Sequence, residues 1–305
     1  MELVTGENDE GRRLDRVLRK ALPEHSLALI HRLLRQGFVF VNGKSAKAQY
    51  RLKNKDVISI PSLKEPRSFL SPLPVACSLM PDILWQGQGL IAVNKPSGIT
   101  VHGKNSLDEI VRAYLADKVS PSLSFKPGPL HRLDKPSSGI VVFSTNIEGA
   151  RSFSELMRER KVKKTYLAVL EGAIDCEEVW EDKLVRNKTM KKTFVSSGGK
   201  MAITKITPLK SMNKNTLVMA EITTGRTHQI RAQAAAAGHP LAGDRKYGSV
   251  ATFGKGGFFL HAWKLEFRDV ESSLDVLLEA PVPAAFAGVL GKPPCPVFDN
   301  LVSCS

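Results

Sequence analysis

Apolar residues recur at helical spacing twice near the start of the chain. In "RRLDRVLRKAL" (12–22), Leu14, Val17, Leu18 and Leu22 share one face, which predicts a helix ended by Pro23. "LALIHRLLRQG" (27–37) repeats the pattern, with Gly37 as its C-cap. The period then drops to two. "FVFVNG" reads as a strand entering an Asn-Gly turn, and "DVISI" as a second alternating strand. Residues 61–81 hold Pro61, Pro66, Pro72, Pro74 and Pro81 and read as a linker that leaves few contacts between what it joins. Beyond it, "LIAVNKP", "GIVVFST", "TYLAVLEG", "TLVMAEITTG" and "FFLHAWKLEF" predict strands, while "SLDEIVRAYLADK", "GARSFSELMRER" and "THQIRAQAAAAG" predict helices. Many strands with few helices indicate an α+β fold, not a regular βαβ alternation. The expected organisation is a small α+β domain (1–62), a proline-containing linker (63–82) and a larger domain with a mixed, mainly antiparallel sheet (83–305). The tail, "KPPCPVFDNLVSCS", reads as irregular.

Composition narrows the partner. The 305 residues carry 44 Lys and Arg against 30 Asp and Glu, a net charge of +14. Such a surplus favours a polyanion, nucleic acid before membrane surface. No run approaches a membrane-spanning length, the first residues lack a signal-peptide core, and Cys77, Cys176, Cys295 and Cys304 form no paired motif. A cytoplasmic, monomeric protein without a bound metal is therefore expected. Residues 1–60 contain 12 basic and 7 acidic side chains, so this unit shares the surplus. Arg12, Arg13, Arg16, Arg19 and Arg32 are expected on its two helices, where they can meet phosphates or simply form a solvated face.

Three stretches carry chemistry. "HRLDKPSSGIVVFS" (131–144) sets Asp134 in a loop between Arg132 and Lys135, at the mouth of a buried strand. The cations should keep the carboxylate ionised, fit to act as nucleophile or base, although an ordinary turn ion pair would look the same. "TGRTHQIRAQAAAAGHPLAGD" (224–244) predicts a helix capped by Thr227 and stopped by Gly238, with His228 and Arg231 on one face. Arg231 there could reach an acid or a phosphate, or lie on the surface. "RERKVKKTYLAVLEG" (158–172) puts Tyr166 at the start of a strand beside Lys163 and Lys164, a stacking platform for a base or a core tyrosine. "RNKTMKK" (186–192) reads as a basic hairpin rim.

Together these stretches are specific. "NKPSGITVH", "HRLDKPSSGIVVFS", "KKTYLAVLEG", "GKMAITKI", "TGRTHQIRAQAAAAGHPLAGDRKYG" and "LHAWKLEF" follow one another in the order of the RluA-type pseudouridine synthases, which residues 85–270 resemble. "RRLDRVL", "HRLLRQGFVFVNG" and "RLKNKDVISI" resemble the S4 RNA-binding domain. The whole resembles the bacterial synthases that act on large-subunit ribosomal RNA. Two departures stand out: "DKPSSG" has Ser137 where the family commonly has Thr, and "EHSLALIHRLL" lacks the Ser-Arg pair frequent in S4 domains. The resemblance implies that Asp134 is the catalytic residue, paired with Arg231, and that Tyr166 stacks on or deprotonates the target nucleotide. It further implies that Arg132 helps to displace or replace the flipped base. His131, Arg226, His228, Lys163 and Lys164, with Arg12, Arg16 and Arg32 of the first unit, are the remaining expected RNA contacts. No cofactor is implied, because nothing external is transferred.

The rivals differ in class. A metal hydrolase would need close ligand pairs, which His102, His131, His228, His239 and His261 do not form. A protein kinase would need a glycine-rich phosphate loop before "HRLD". An inert RNA-binding assembly factor would not need Asp134, Tyr166 and Arg231 together, and a tRNA-directed synthase shares the chemistry but not the target.

Overall fold

The computed structural model describes residues 1–61, 80–212, 214–251, 257–268 and 275–286. Most of the expected linker and all of the C-terminal tail lie outside the described residues. The first unit comprises β1 (Glu2–Val4), α1 (Leu14–Ala21), α2 (Leu27–Arg35), β2 (Phe40–Val41), β3 (Lys44–Ser45) and β4 (Val57–Ser59). Its strands form an antiparallel sheet in the order β1-β4-β2-β3. Leu14, Val17 and Leu18 of α1 and Ile30, Leu33 and Leu34 of α2 bury against Val39, Val41 and Ile58. Ser26 caps α2 by accepting the Leu29 N–H, and Gly37, at φ +76°, ends it as expected. Helix α1 begins only at Leu14, however, so Arg12 and Arg13 precede it instead of riding on it. The backbone N–H groups of Leu14 and Asp15 are already taken by the Tyr50 and Ala48 carbonyls, which holds the chain before Leu14 out of the helix.

The larger unit runs β5 (Ile83–Gly87), β6 (Leu90–Lys95), α3 (Leu107–Leu115), β7 (Gly128–Pro129), β8 (Ser138–Ser144), α4 (Ile147–Arg158), β9 (Lys163–Glu171), β10 (Glu178–Asn187), β11 (Lys192–Val195), β12 (Lys200–Met212), β13 (Asn215–Ile222), α5 (Gln229–Ala236), β14 (Leu260–Arg268) and β15 (Asp275–Glu279). One sheet joins its strands in the order β11-β10-β12-β13-β9-β14-β8-β6-β5, with β15 beside β14 and β7 beside β8. Among the described pairings only β8–β14 is parallel, so the fold is α+β with a mixed, mainly antiparallel sheet. Helices α3 and α5 cover one face through Leu107, Val111, Ile230 and Ala234; α4 covers the other through Phe153 and Leu156. Strand β8 is buried over its whole length. Where it runs beside β14 a Cβ on Gly139 would lie 2.2 Å from the Ala262 carbonyl oxygen, and Gly139 also has φ +106°, so only glycine fits.

The expectation of few contacts between the units is corrected. Asp9 is fully buried and accepts hydrogen bonds from the Leu123 and Ser124 N–H groups and from the Ser122 and Ser124 hydroxyls. Asn8 Oδ1 accepts the Ile147 N–H at 2.8 Å, and Leu123 packs against the first unit's core. The loop after α3 presents a ring of donors, and a short acidic turn fills it; an intervening linker need not prevent such docking.

Candidate active site

Asp134 sits in the turn before β8, whose Ser137 N–H returns to the Asp134 carbonyl at 3.1 Å. That turn is pinned from below. Lys95, at the end of β6 and fully buried, donates from Nζ to the carbonyls of Pro96, Ile99 and Lys135 at 3.0, 2.9 and 3.2 Å. Burial pushes its ammonium down to about 8, against the opposing pull of the Asp134 charge. A second bond, Gly98 N–H to the Lys135 carbonyl at 2.9 Å, ties the same loops together.

Arg231 reaches this turn from α5. Its Nη1 donates to Asp134 Oδ2 at 2.7 Å, while Nε and Nη2 form a fork with Asp244 at 2.6 and 2.9 Å. The rings of Phe258 and Tyr247 stack on the guanidinium at 4.3 and 4.8 Å. Burial alone would lower the Arg231 pKa, but its bonds to Asp244 and the charges of Asp244 and Asp134 outweigh it and raise it. One carboxylate thus fixes the arginine, and the arginine fixes the other.

The second oxygen of Asp134 faces His228 Nε2 at 3.6 Å. His228, not Thr227, is the residue at the helix start, and it holds the left-handed conformation, φ 55°. The reason is Gln229: its Oε1 accepts the Arg226 N–H and the Thr224 hydroxyl, folding the turn back on itself. Gly238 does end the helix, through the Gly238 and His239 N–H bonds to the Ala235 and Ala234 carbonyls. The Tyr247 oxygen accepts the Thr193 N–H at 2.8 Å and lies 2.9 Å from His228 Nδ1, which fixes the ring with Nε2 turned toward Asp134. Burial pushes the His228 pKa to about 4, against the pull of Asp134, so the ring is neutral at physiological pH.

A cavity of about 330 Å³ opens beside Asp134. Leu133, Ile222, Ile230 and Leu260 give it apolar walls; Tyr166 and Lys164 enter it from β9. Burial, and to a smaller degree the Asp134 charge, raise the Tyr166 pKa, so the hydroxyl is a donor at neutral pH. A second hollow of about 360 Å³ shares Asp134, Arg132, His228 and Arg231 with the first and adds Arg186, Lys191 and Lys246. One hollow is largely apolar and the other strongly cationic, and Asp134 lies where they meet.

The structure thus brings Asp134, Tyr166, Arg231, Arg132, His228, Arg226 and Lys164 together. His131 also lines the cavity, but its Nε2 accepts the Val142 N–H at 3.1 Å, and burial lowers its pKa to about 4. Lys163 points elsewhere, toward Glu266 at 3.4 Å and Glu221 at 3.6 Å. Arg16 and Arg32 are exposed on the first unit, whereas Arg12 bonds to Ser124 across the contact between units. Sequence reasoning missed Lys95, Asp244, Tyr247 and Gln229. Each stands within a stretch singled out above, but no spacing rule marks its partner. Among the described residues no cluster of three or more His, Cys, Asp or Glu could hold a metal ion, and no helix is long and apolar enough to cross a membrane.

Known proteins resemble the chain over most of its length. The family model for RNA pseudouridylate synthase matches residues 89–236, and that for the S4 domain matches residues 12–58. The chain is 32% identical over 95% of its length to the ribosomal large subunit pseudouridine synthase C of Pasteurella multocida, covering 92% of that protein. It is 33% identical over 90% of its length to the ribosomal large subunit pseudouridine synthase D of Neisseria meningitidis serogroup A, covering 76% of it. Among solved structures, human RNA pseudouridylate synthase domain containing 1 superposes with a TM-score of 0.58 at 24% identity, over 74% of this chain and 95% of that one.

Proposed function

From the premise that the chain belongs to the RNA pseudouridylate synthase family, we propose that it isomerises uridine to pseudouridine in large-subunit ribosomal RNA, with Asp134 as the reacting carboxylate. The observation that carries the assignment is Asp134 held by the Arg231–Asp244 fork at the junction of an apolar and a cationic hollow. The apolar hollow takes the flipped base and the cationic one takes the phosphodiester beside it. Extruding a base costs a few kcal/mol, which stacking on Tyr166 and contact with the cations offset. Asp134 attacks or deprotonates as the bond between ribose and base is broken; the base turns over and rejoins through carbon. Arg231 holds one carboxylate oxygen, His228 faces the other, and Arg132 occupies or guards the space the base enters. The reaction rearranges one nucleotide internally, so it calls for no cofactor.

Residues 1–62 serve as the RNA-gripping unit, 63–82 as the linker and 83–305 as the catalytic domain. The protein acts as a cytoplasmic monomer. The test is to incubate the purified chain with unmodified large-subunit ribosomal RNA and transfer RNA, and to map pseudouridine in each. Formation in the ribosomal RNA, absent with Asp134→Asn, is expected; formation only in transfer RNA would overturn the target.

A further inference from the structure

Lys164 is the second residue of β9, two before Tyr166, so both side chains leave the same face of the strand. It is 9% exposed, and that exposure opens into the apolar cavity. Its Nζ ends beside Gly225, which also lines the cavity. Neighbouring Lys163 pairs with two glutamates, but among the described residues no carboxylate or carbonyl bonds to Lys164. Among the described residues the only acid lining the cavity is Asp134, and one of its oxygens is already committed to Arg231. Burial lowers the Lys164 pKa, with no compensating negative charge nearby. Its ammonium, partly desolvated and met by no protein acceptor among the described residues, opens onto this cavity, where a ligand can supply the missing acceptor.

The proposed function puts a uracil in this cavity, and the present inference rests on that reading. We propose that Lys164 donates a hydrogen bond to a carbonyl oxygen of the target uracil, selecting uracil over cytosine and stabilising the charge that gathers on that oxygen as the base is activated. The chemistry of the ring supports this. Loss of the base from ribose, or addition to its carbon-carbon double bond, moves negative charge onto the ring carbonyls. A fixed cation at one of them stabilises the transition state more than the ground state. Uracil is also nearly symmetric about its N3–C6 axis: a half-turn that exchanges N1 with C5 exchanges O2 with O4. A donor fixed at one carbonyl position therefore finds an acceptor there before and after the base turns over. Cytosine carries an amino group at C4 and would present a donor to a donor at one of the two stages.

The test uses the full chain with Lys164→Met, which keeps the length of the side chain and removes the charge. Turnover should fall by roughly 10²- to 10³-fold, the usual cost of losing one such donor, while KM and the affinity for ribosomal RNA stay the same. The melting temperature should rise, because an unpaired charge has been replaced by an apolar group. RNA carrying 2-thiouridine or 4-thiouridine at the target, in which sulfur is a poor acceptor, should react slowly with the wild-type protein and suffer no further loss with Lys164→Met. Undiminished turnover in the variant, a loss of RNA affinity in place of turnover, or a lower melting temperature would overturn the inference. If the variant does not fold, the thiouridine substrates decide it with the wild-type protein alone: equal rates for oxygen and sulfur overturn it. A wild-type chain that makes no pseudouridine sinks the parent reading, a different failure from a working enzyme indifferent to Lys164.

Discussion

Asp134 and Arg231 show how much of the site depends on single atoms. Asp134→Asn keeps the shape of the side chain but removes its charge and nucleophilicity. Isomerisation should be abolished, while RNA binding by filter retention stays within a few-fold. Arg231→Ala leaves Asp244 buried without its partner and frees Asp134, so turnover should drop by on the order of 10²-fold or more, with a lower melting temperature. Arg231→Lys should fare little better, since one ammonium cannot make a fork with Asp244 and still reach Asp134. Tyr166→Phe keeps the ring but deletes a hydroxyl that no protein group engages among the described residues. RNA binding should survive and single-turnover rates should fall by roughly 10²-fold or more; an unchanged rate would leave only stacking.

At the scale of elements, the position of Asp134 is set by the strand behind it. Strand β8 meets β14 through Gly139, where a methyl group would strike the Ala262 carbonyl. Gly139→Ala must part the two strands or bend them, and the turn holding Asp134 moves with β8. A large loss of stability is expected, several kcal/mol by comparison with other strained or overpacked sites, read as a lower midpoint in urea. The start of α5 was legible in part. Its alanine-rich body and its glycine stop are local features, but the cap is not. Thr227 has the chemistry of a cap, yet Gln229 folds back on the turn and leaves His228 left-handed. The basic hairpin rim at 186–192 is the turn between β10 and β11, but the strands themselves were missed; in β10 one face is solvated and charged, and burial falls on a few residues such as Trp180 and Leu184. A strand with so few apolar positions gives a weak period.

For the molecule as a whole, the clasp at Asp9 makes the two units interdependent. Asp9→Ala would leave the Leu123 N–H and the Ser122 and Ser124 hydroxyls without their acceptor, each costing about 1–3 kcal/mol where it stays dry. The variant should melt earlier and be cut sooner by protease in the 119–127 loop. Turnover on long structured RNA should suffer more than on a short oligonucleotide, since the first unit's cations then lose their fixed aim. Acid sensitivity also belongs to this scale. Burial lowers His261 and His131 from 6.5 to about 4. Both are neutral when folded, whereas the unfolded chain takes up protons below 6.5. Stability is therefore full above pH 6.5, falls as the pH drops toward 4, and has lost the whole contribution below it, on the order of 3 kcal/mol per histidine. Urea midpoints across pH 4–7 check this, and His261→Asn should flatten the slope.

By itself the sequence determined the two-unit order, most strands and helices of the core, the α+β class, and the motif set that holds Asp134, Tyr166 and Arg231. These follow from short-range signals: periodicity, turn residues, and residue types gathered within a few positions. Only the tertiary structure decided what those groups touch. Lys95 meets Lys135 forty residues away, Arg231 meets Asp134 ninety-seven residues away, and Asp9 meets Ser124 across both units. Such partnerships depend on strand order and on which face a side chain leaves, and no local pattern encodes either. The same reason explains the two lysines that open β9. They are adjacent in sequence, but the alternation of the strand sends one to the glutamates at the surface and the other into the cavity.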